Sequence, residues 1–237
     1  MNHGLLPLVF DEPVAVIGDI HGRADLLAAL LEKLGSMTVI SVGDVVDRGM
    51  QVRECIDLLI ARGAIGVKGN HEEWVCEWLF GDGFDRFALH PGMGGAATLQ
   101  SYGVYDRDQR SINAGSSRVP EEHRRWFLGL HDAIDLTVRG RRYFVCHTAP
   151  SRSDIDEDEP EDDFRTMVLT QPQTLRWGSY TMDSVPNCGR PVVAGHMSRE
   201  EPEANSRVIA IDTGCATVPG GYLTAVILPE KRFISVR

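Results

Sequence analysis

The sequence predicts an α/β fold in which a largely parallel sheet is covered by helices on both faces. Through the first seventy residues, short apolar runs alternate with stretches whose leucines recur at helical spacing. Such alternation is typical of right-handed crossovers between parallel strands. The strands are apolar almost without interruption, as expected for a sheet that is buried on both faces.

The first part of the chain predicts three strands and two helices in alternation. The strands span 14–17, 38–42 and 65–67, and the helices span 23–34 and 52–61. Helical spacing is clearest in the first helix, in the positions of Leu26, Leu27, Leu30, Leu31 and Leu34. The order strand, helix, strand, helix, strand is that of a parallel sheet.

The rest of the chain is less regular. Residues 80–140, which include the stretch HPGMGGAATLQSYG, predict a mostly helical insertion with a helix over 121–130. Residues 153–164, SDIDEDEPEDDF, are acidic and poor in apolar residues, which predicts a mobile acidic surface loop. Later strands are predicted, the last three as an antiparallel finish, at 142–146, 191–194, 207–211, 222–228 and 233–236.

Composition and charge limit the class of protein. A chain of 237 residues with 43% hydrophobic content predicts one domain over 1–237. The formal net charge of -10 argues against nucleic acid or an anionic membrane as partner. The sequence contains neither a secretory signal nor a long apolar span, so we expect a cytoplasmic protein. We also expect it to be a monomer. Five cysteines without CxxC spacing predict neither disulfides nor a thiolate zinc site.

Polar residues follow the predicted strands at the point where each one ends. Three strands end in glycine and a polar residue (VIGD, SVGD, VKGN), and two end in histidine (FVCH, VAGH). Because parallel strands present their carboxyl ends at one edge of a sheet, six donors are predicted to converge there: Asp19, His21, Asp44, Asn70, His147 and His196. Carboxylates so close repel one another unless cations neutralise them, so this edge is a predicted metal site.

The donor types indicate which ions would bind. Carboxylate, imidazole and amide without thiolate suit manganese, with iron or zinc as alternatives, better than a structural zinc site. Two ions that share a bridging carboxylate sit about 3.5–4 Å apart and clamp the attacking and leaving oxygens of a phosphoryl group. We therefore expect two divalent ions as cofactors.

The remaining polar residues of these motifs fit phosphate ester hydrolysis. His71 follows a predicted ligand and is placed as a general acid for the leaving oxygen. Asp47 would orient its imidazole, and Arg48 would grip the phosphate through a bidentate fork. A metal-bound hydroxide would then attack phosphorus in line.

Two motifs have simpler explanations when taken alone. GDIHG is equally explained by a turn with a helix-capping aspartate, but GDVVDRG and GNHEE follow in order, each after a strand. Asp212-Thr213-Gly214 suggests an aspartic protease, which needs two such aspartates sharing a proton. Only one copy is present, so a turn-forming aspartate is favoured.

In these motifs the chain resembles the phosphoprotein phosphatase family of calcineurin-like metallophosphoesterases, in particular the small bacterial and phage serine/threonine phosphatases. The match covers most of residues 14–228 and runs through GDIHG, GDVVDRG, GNHEEW, CHTAP, AGHM, IDTGC and GGYLTAV. The resemblance implies an α/β (α+β) metallophosphoesterase fold, a central β-sandwich flanked by helices with a small helical insertion. That fold modifies the single-sheet prediction.

The resemblance also implies residue roles. It allots a first metal to Asp19, His21 and Asp44, and a second to Asp44, Asn70, His147 and His196, with Asp44 bridging. His71 would be the proton donor paired with Asp47. The family supplies a second phosphate-binding arginine shortly after a tryptophan, whereas this chain reads LRWGSY, with the arginine before it. The expected phosphate-binding residues are therefore Arg48, Asn70 and Arg176.

The resemblance implies a metal-dependent phosphomonoesterase acting on phosphorylated proteins or peptides, at serine or threonine and also tyrosine. The alternative is a symmetrical diadenosine tetraphosphatase, since those enzymes share the same motifs and would make a dinucleoside polyphosphate the partner. The GGAATLQSYG insertion and the short chain favour the protein phosphatase. A non-catalytic scaffold would tolerate loss of His71, Asp47 or Arg48, yet all three are present.

Overall fold

Two β-sheets face each other in the computed structural model, which describes residues 4–155 and 158–237. The strands of the first sheet are β2 (Val14–Ile17), β3 (Thr38–Ser41), β4 (Ile65–Gly66), β10 (Leu223–Leu228) and β11 (Arg232–Val236), in the order β11-β10-β2-β3-β4. Those of the second are β1 (Leu5–Phe10), β5 (Ala133–Val138), β6 (Arg141–Cys146), β7 (Val192–Ala194), β8 (Glu203–Ala204) and β9 (Val208–Ala210), in the order β1-β5-β6-β7-β9-β8.

Helices connect the strands and cover the outer faces of both sheets. They are α1 (Ala24–Leu34), α2 (Val52–Arg62), α3 (Asn70–Phe80), α4 (Gly95–Ser101), α5 (Gln109–Gly115), α6 (Glu121–Leu128), α7 (Pro160–Thr170) and α8 (Thr174–Trp177). Short 3₁₀ turns span Arg86–Leu89 and Ser116–Arg118.

Three apolar layers hold these elements together. Between the sheets, inward-facing strand residues such as Val16 and Ile40 of the first sheet meet Val145 of the second. Helices α1 to α6 share one apolar cluster with the outer face of the first sheet, and α7 packs on the outer face of the second. The architecture is the helix-flanked β-sandwich that the family resemblance implies, and the single doubly wound sheet predicted from periodicity is wrong.

Strand pairing confirms part of the predicted topology. Strands β2, β3 and β4 pair in parallel, and β10 pairs antiparallel with β11. The strand predicted at 207–211 does not join this antiparallel finish, because β9 pairs in parallel with β7 in the second sheet. Apolar periodicity identifies a strand but does not identify which sheet it enters.

The predicted insertion at 80–140 is helical only as far as Leu128. Residues 133–138 form β5, which lies between β1 and β6. Its residues Ile134, Leu136 and Val138 alternate and are fully buried in the layer between the sheets. This two-residue period is that of a strand, and it explains why the helical prediction is wrong there.

The predicted acidic loop at 153–164 is wrong from Pro160 onward, where α7 begins. Proline at the first helical position and Glu161, Asp162 and Asp163 in the first turn all favour a helix N-terminus. Phe164 then starts an apolar face that is buried against the second sheet and stacks on Phe144. The acidic residues 156 and 157 lie outside the described residues.

Within the described residues, none of the helices combines the length and the apolar character that crossing a membrane requires.

Candidate metal centre and active site

The six predicted ligands converge at one end of the sandwich. Four follow strands of the first sheet, and two follow strands β6 and β7 of the second: Asp19, His21, Asp44 and Asn70, then His147 and His196. His147 Nε2 lies 3.4 Å from Asp44 Oδ2, 3.0 Å from Asn70 Oδ1 and 3.1 Å from His196 Nδ1. Both sheets therefore contribute to one buried cluster.

Asp19 and His21 complete this cluster on the side of strand β2. Asp19 Oδ2 accepts a hydrogen bond of 3.1 Å from the backbone N–H of His196. His21 Nε2 lies 3.7 Å from Asp44 Oδ2. Asp44 thus belongs to two groups of donors, one with His147 and His196 and one with His21 and His71, each with its atoms within 4.8 Å of one another.

The orientation of two histidine rings fits divalent metal ions. His21 Nδ1 donates to the carbonyl oxygen of Val46 (2.9 Å), and His147 Nδ1 donates to that of Val42 (3.0 Å). In the neutral form of each ring, this bond selects the tautomer whose Nε2 lone pair faces the cluster, which is how proteins orient metal-binding histidines. Carboxylate, imidazole and amide donors without a thiolate suit hard or borderline divalent ions.

Electrostatics at the cluster also suit cations. Burial lowers the pKa of His21 to about 3 and that of His196 to about 4, so both rings are neutral, as metal binding requires. Burial, followed by repulsion from Asp212, raises the pKa of Asp19 well above its usual value. A buried carboxylate with a carboxylate neighbour is stabilised when cations bind.

The glycines that precede the ligands are required by close packing. A Cβ at Gly69 would overlap Asp44 Oδ1, and a Cβ at Gly195 would overlap Asp19 Oδ1. At these two positions the glycine leaves the space that a ligand carboxylate from another strand end occupies.

His71 and Asp47 form a hydrogen-bonded pair beside the cluster. His71 Nδ1 lies 2.7 Å from Asp47 Oδ2, which also accepts from Trp74 Nε1 (3.0 Å). Asp47 Oδ1 accepts from Thr98 Oγ1 (2.6 Å). Burial alone would lower the pKa of His71, but the carboxylates of Asp44 and Asp47 outweigh it and raise that pKa. The ring is thereby poised to hold a proton.

The Arg48 guanidinium lies over the same end of the cluster. Its Nη1 contacts His21 Nε2 and donates to Thr217 Oγ1 (2.8 Å), and its Nη2 lies 3.1 Å from His71 Nε2. Arg48 therefore supplies a positive charge between two histidines of the site, where an anionic substrate would bind.

Arg176, the third expected phosphate-binding residue, lines a cavity beside Asn70. Its guanidinium is already paired with Glu73 and, at 2.5 Å, with Asp132. The structure therefore brings Arg176 near the site but commits its charge to two carboxylates of the protein.

Two residues that organise the site were not predicted from the sequence. Glu72 is fully buried and accepts backbone N–H bonds of 2.8 Å from Asp44, Val45 and Gly69, which joins the two motif loops. The position of Glu72 in the GNHEE motif was the sequence signal that could have indicated this role. Thr98 in α4 donates a hydrogen bond to Asp47, which lies 51 residues earlier in the chain. No local sequence pattern indicates a contact over that distance.

Known proteins share both the sequence pattern and the fold. A bis(5'-nucleosyl)-tetraphosphatase PrpE [asymmetrical] of Bacillus velezensis is 27% identical over 253 residues, covering 93% of this chain and 91% of that protein. The crystal structure of a candidate diadenosine tetraphosphatase matches with a TM-score of 0.65 and 21% identity, over 99% of this chain and 97% of that one.

A serine/threonine phosphatase of Saccharomyces cerevisiae, with similarity to human phosphatase PP5, matches with a TM-score of 0.55 and 18% identity, over 98% of this chain and 82% of that one. The family model for calcineurin-like phosphoesterases matches residues 12–175, well over half of the chain. The chain therefore belongs to the calcineurin-like phosphoesterases, which are metal-dependent hydrolases.

Proposed function

We propose that this protein hydrolyses dinucleoside polyphosphates, with diadenosine tetraphosphate as the reference substrate. The observation that carries the substrate class is the likeness to a bis(5'-nucleosyl)-tetraphosphatase along 93% of this chain. This proposal reverses the order of the two hypotheses drawn from sequence, where the protein phosphatase came first. The proposed chemistry rests on the buried cluster of ligands and the His71–Asp47 pair beside it.

The cluster would hold two divalent ions, with manganese as the preferred metal. Asp19, His21 and Asp44 would bind the first ion, and the second would be bound by Asp44, Asn70, His147 and His196. When bound, such ions polarise a phosphoryl group and activate water near neutral pH.

Residues around the cluster would act on the substrate itself. Arg48 binds the reacting phosphate through its guanidinium. His71 holds a proton on Nε2 for the leaving oxygen, while Asp47 accepts the Nδ1 hydrogen and keeps the ring in place. Trp74 and Thr98 hold Asp47, so the orientation of His71 is set before substrate arrives.

A phosphoprotein phosphatase is the second candidate, and the His71–Asp47 pair is the feature that favours it. An alkoxide leaving from phosphoserine is a strong base and needs a proton in the transition state. A nucleotide leaving from a phosphoanhydride departs as a stable anion. A well-built proton donor therefore suits an ester of serine or threonine as well.

The two candidates are separated by rate comparison on one manganese-loaded preparation. We expect kcat/KM for diadenosine tetraphosphate to exceed that for a phosphoserine peptide and a phosphotyrosine peptide by at least tenfold. Product analysis then distinguishes symmetrical cleavage, giving two ADP, from asymmetrical cleavage, giving ATP and AMP. A clear preference for either peptide would refute the proposal, and full activity in excess chelator would refute its metal dependence.

A further inference from the structure

A cavity of about 350 Å³ lies beside the metal cluster and shares Asn70 with it. We call it the side pocket, and its lining includes Lys68, Glu77, Phe87 and Trp177. The volume falls in the range of small-molecule sites, roughly 300–1,000 Å³. A group attached to the reacting phosphate can therefore extend from the cluster into this pocket.

Lys68 is the charged residue of the side pocket whose ammonium group is available to bind an anionic ligand. It is only 8% exposed and lies two residues before Asn70, where its backbone N–H donates to the His131 carbonyl oxygen (2.8 Å). Among the residues that the structure describes, none forms a hydrogen bond or ion pair with its ammonium group. Lys68 lines the open pocket, where an anion can form a charge-assisted hydrogen bond with its ammonium group.

The other cation in the lining does not compete for that anion. Arg176 is paired with Glu73 and Asp132, so its charge is neutralised within the protein. In the described part of the chain, Lys68 is thus the lining cation that remains available to a ligand phosphate.

Two exposed aromatic side chains form the outer wall of the side pocket. Phe87 is 52% exposed and Trp177 is 44% exposed, with ring centroids 6.4 Å apart. Trp177 Nε1 donates to Glu73 (2.5 Å), and the His90 ring stacks on Phe87, so both aromatic rings are held in place. Exposed aromatic faces of this kind are the usual platform for a nucleobase.

We propose that the side pocket binds one nucleotide half of the substrate, an inference that rests on the proposed function. Lys68 binds a phosphate adjacent to the reacting one, and the base stacks on Phe87 and Trp177. The Glu77 carboxylate accepts a hydrogen bond from an exocyclic amino group, as adenine offers. The side pocket thus takes over the phosphate contact that was expected of Arg176.

The test measures binding without turnover. Titration calorimetry compares α,β-methylene-ADP, which cannot be hydrolysed, with methylenediphosphonate, which lacks the nucleoside. Lys68→Met is expected to weaken both ligands about tenfold, as loss of a charge-assisted hydrogen bond predicts, and Lys68→Arg to restore most of the affinity. Trp177→Ala is expected to weaken only the nucleotide, also about tenfold.

Matched controls are the exposed Lys33→Met and the exposed Tyr105→Ala, both outside the side pocket, which should bind both ligands as the wild type does. For Lys68→Met, KM for diadenosine tetraphosphate should rise about tenfold. Thermal melts show that each variant is folded.

Wild-type affinity of Lys68→Met or Trp177→Ala for the nucleotide overturns the proposal, and so does a loss of activity confined to a phosphoserine peptide. The proposed function fails separately. A protein that binds the nucleotide through these residues, yet does not hydrolyse the dinucleotide, keeps the side pocket assignment and loses the substrate.

Discussion

Five residues of the site hold a left-handed backbone although none of them is glycine. Their φ angles are 46° for His21, 50° for Asp44, 71° for Asp47, 64° for Arg48 and 65° for His196. Each such residue costs roughly 1–2 kcal/mol relative to an ordinary backbone conformation. Strain concentrated in this way is typical of functional sites, where the surrounding structure holds side chains in a required direction.

Arg48→Gly tests whether this strain is present. Glycine adopts a φ of 64° without steric cost, so Arg48→Gly is expected to be about 1 kcal/mol more stable than Arg48→Ala. For a chain of this size the difference corresponds to a melting temperature about 2–4 °C higher, measured by calorimetry. Both variants lose the guanidinium, so the comparison isolates the backbone. Equal melting temperatures would contradict the claim.

His71→Asn should separate substrates by their leaving groups. Loss of a proton donor is expected to lower kcat about 10²–10⁴-fold on a phosphoserine peptide, whose alkoxide must be protonated. On diadenosine tetraphosphate the loss should be at least tenfold smaller, because the departing phosphate is a weaker base than an alkoxide and depends less on the proton of His71. Manganese content, measured by elemental analysis, should be unchanged. If the metal is lost as well, His71 is a ligand, as its place near Asp44 also permits.

At the scale of elements, each strand of the site ends in a turn that is shaped by a neighbouring strand. Gly195 follows β7, and a Cβ there would overlap Asp19 Oδ1, which belongs to the turn after β2. Glu72 on α3 holds a turn in place by direct contact, since its carboxylate accepts hydrogen bonds from the backbone of the turn after β3. The positions of Asp19 and Asp44 therefore depend on contacts with neighbouring segments as well as on the turns that carry them.

Gly195→Ala should weaken metal binding without removing any ligand. The added methyl group displaces Asp19, and we expect manganese affinity to fall about 10–100-fold, as when a supporting residue of a metal site is lost. The matched control is Gly129→Ala at the end of α6, where a Cβ meets its nearest atoms at an ordinary 3.4 Å. Titration calorimetry with manganese would refute the prediction if the two variants bound equally.

Elements with a strong local period were predictable, and the exceptions have physical causes. Strands β2, β3 and β4 and helices α1 and α2 lie where leucine and valine spacing placed them. Helix α7 was missed because its acidic residues hid the buried face formed by Phe164, Met167 and Val168. Those acidic residues stabilise the first turn of α7. An acidic composition is typical of surface loops, but it also favours the N-terminus of a helix.

At the scale of the whole molecule, the strand-end motifs predicted the ligand cluster, whereas the two-sheet frame followed from the family resemblance and not from apolar periodicity. The motifs placed six side chains at strand ends, and the structure brings all six together. Nothing in the sequence showed that the strands before His147 and His196 lie in a different sheet from the strand before Asp19. Which sheet a strand joins depends on contacts between residues far apart in the chain. The hydrogen bond between Thr98 and Asp47, 51 residues apart, is a side-chain contact of the same long-range kind.

Metal binding should stabilise the entire fold, because the ligands are buried and come from both sheets. At a manganese concentration of about 100 times Kd, linkage predicts about 2.7 kcal/mol of added stability, which raises the melting temperature by roughly 5–10 °C. Asp44→Asn, which lacks the shared carboxylate, should lose most of this increase. Equal increases in the two proteins would show that the ions bind elsewhere.

The division of the ligands between two sheets links the centre to the sandwich interior. Shear of one sheet across the other would carry His147 and His196 away from the four ligands on the opposite side. The packing of apolar side chains between the sheets therefore limits how far one sheet can slide over the other. Even a small change there, such as Val145→Ala, is expected to shift His147 and His196 relative to the four candidate ligands of the first sheet.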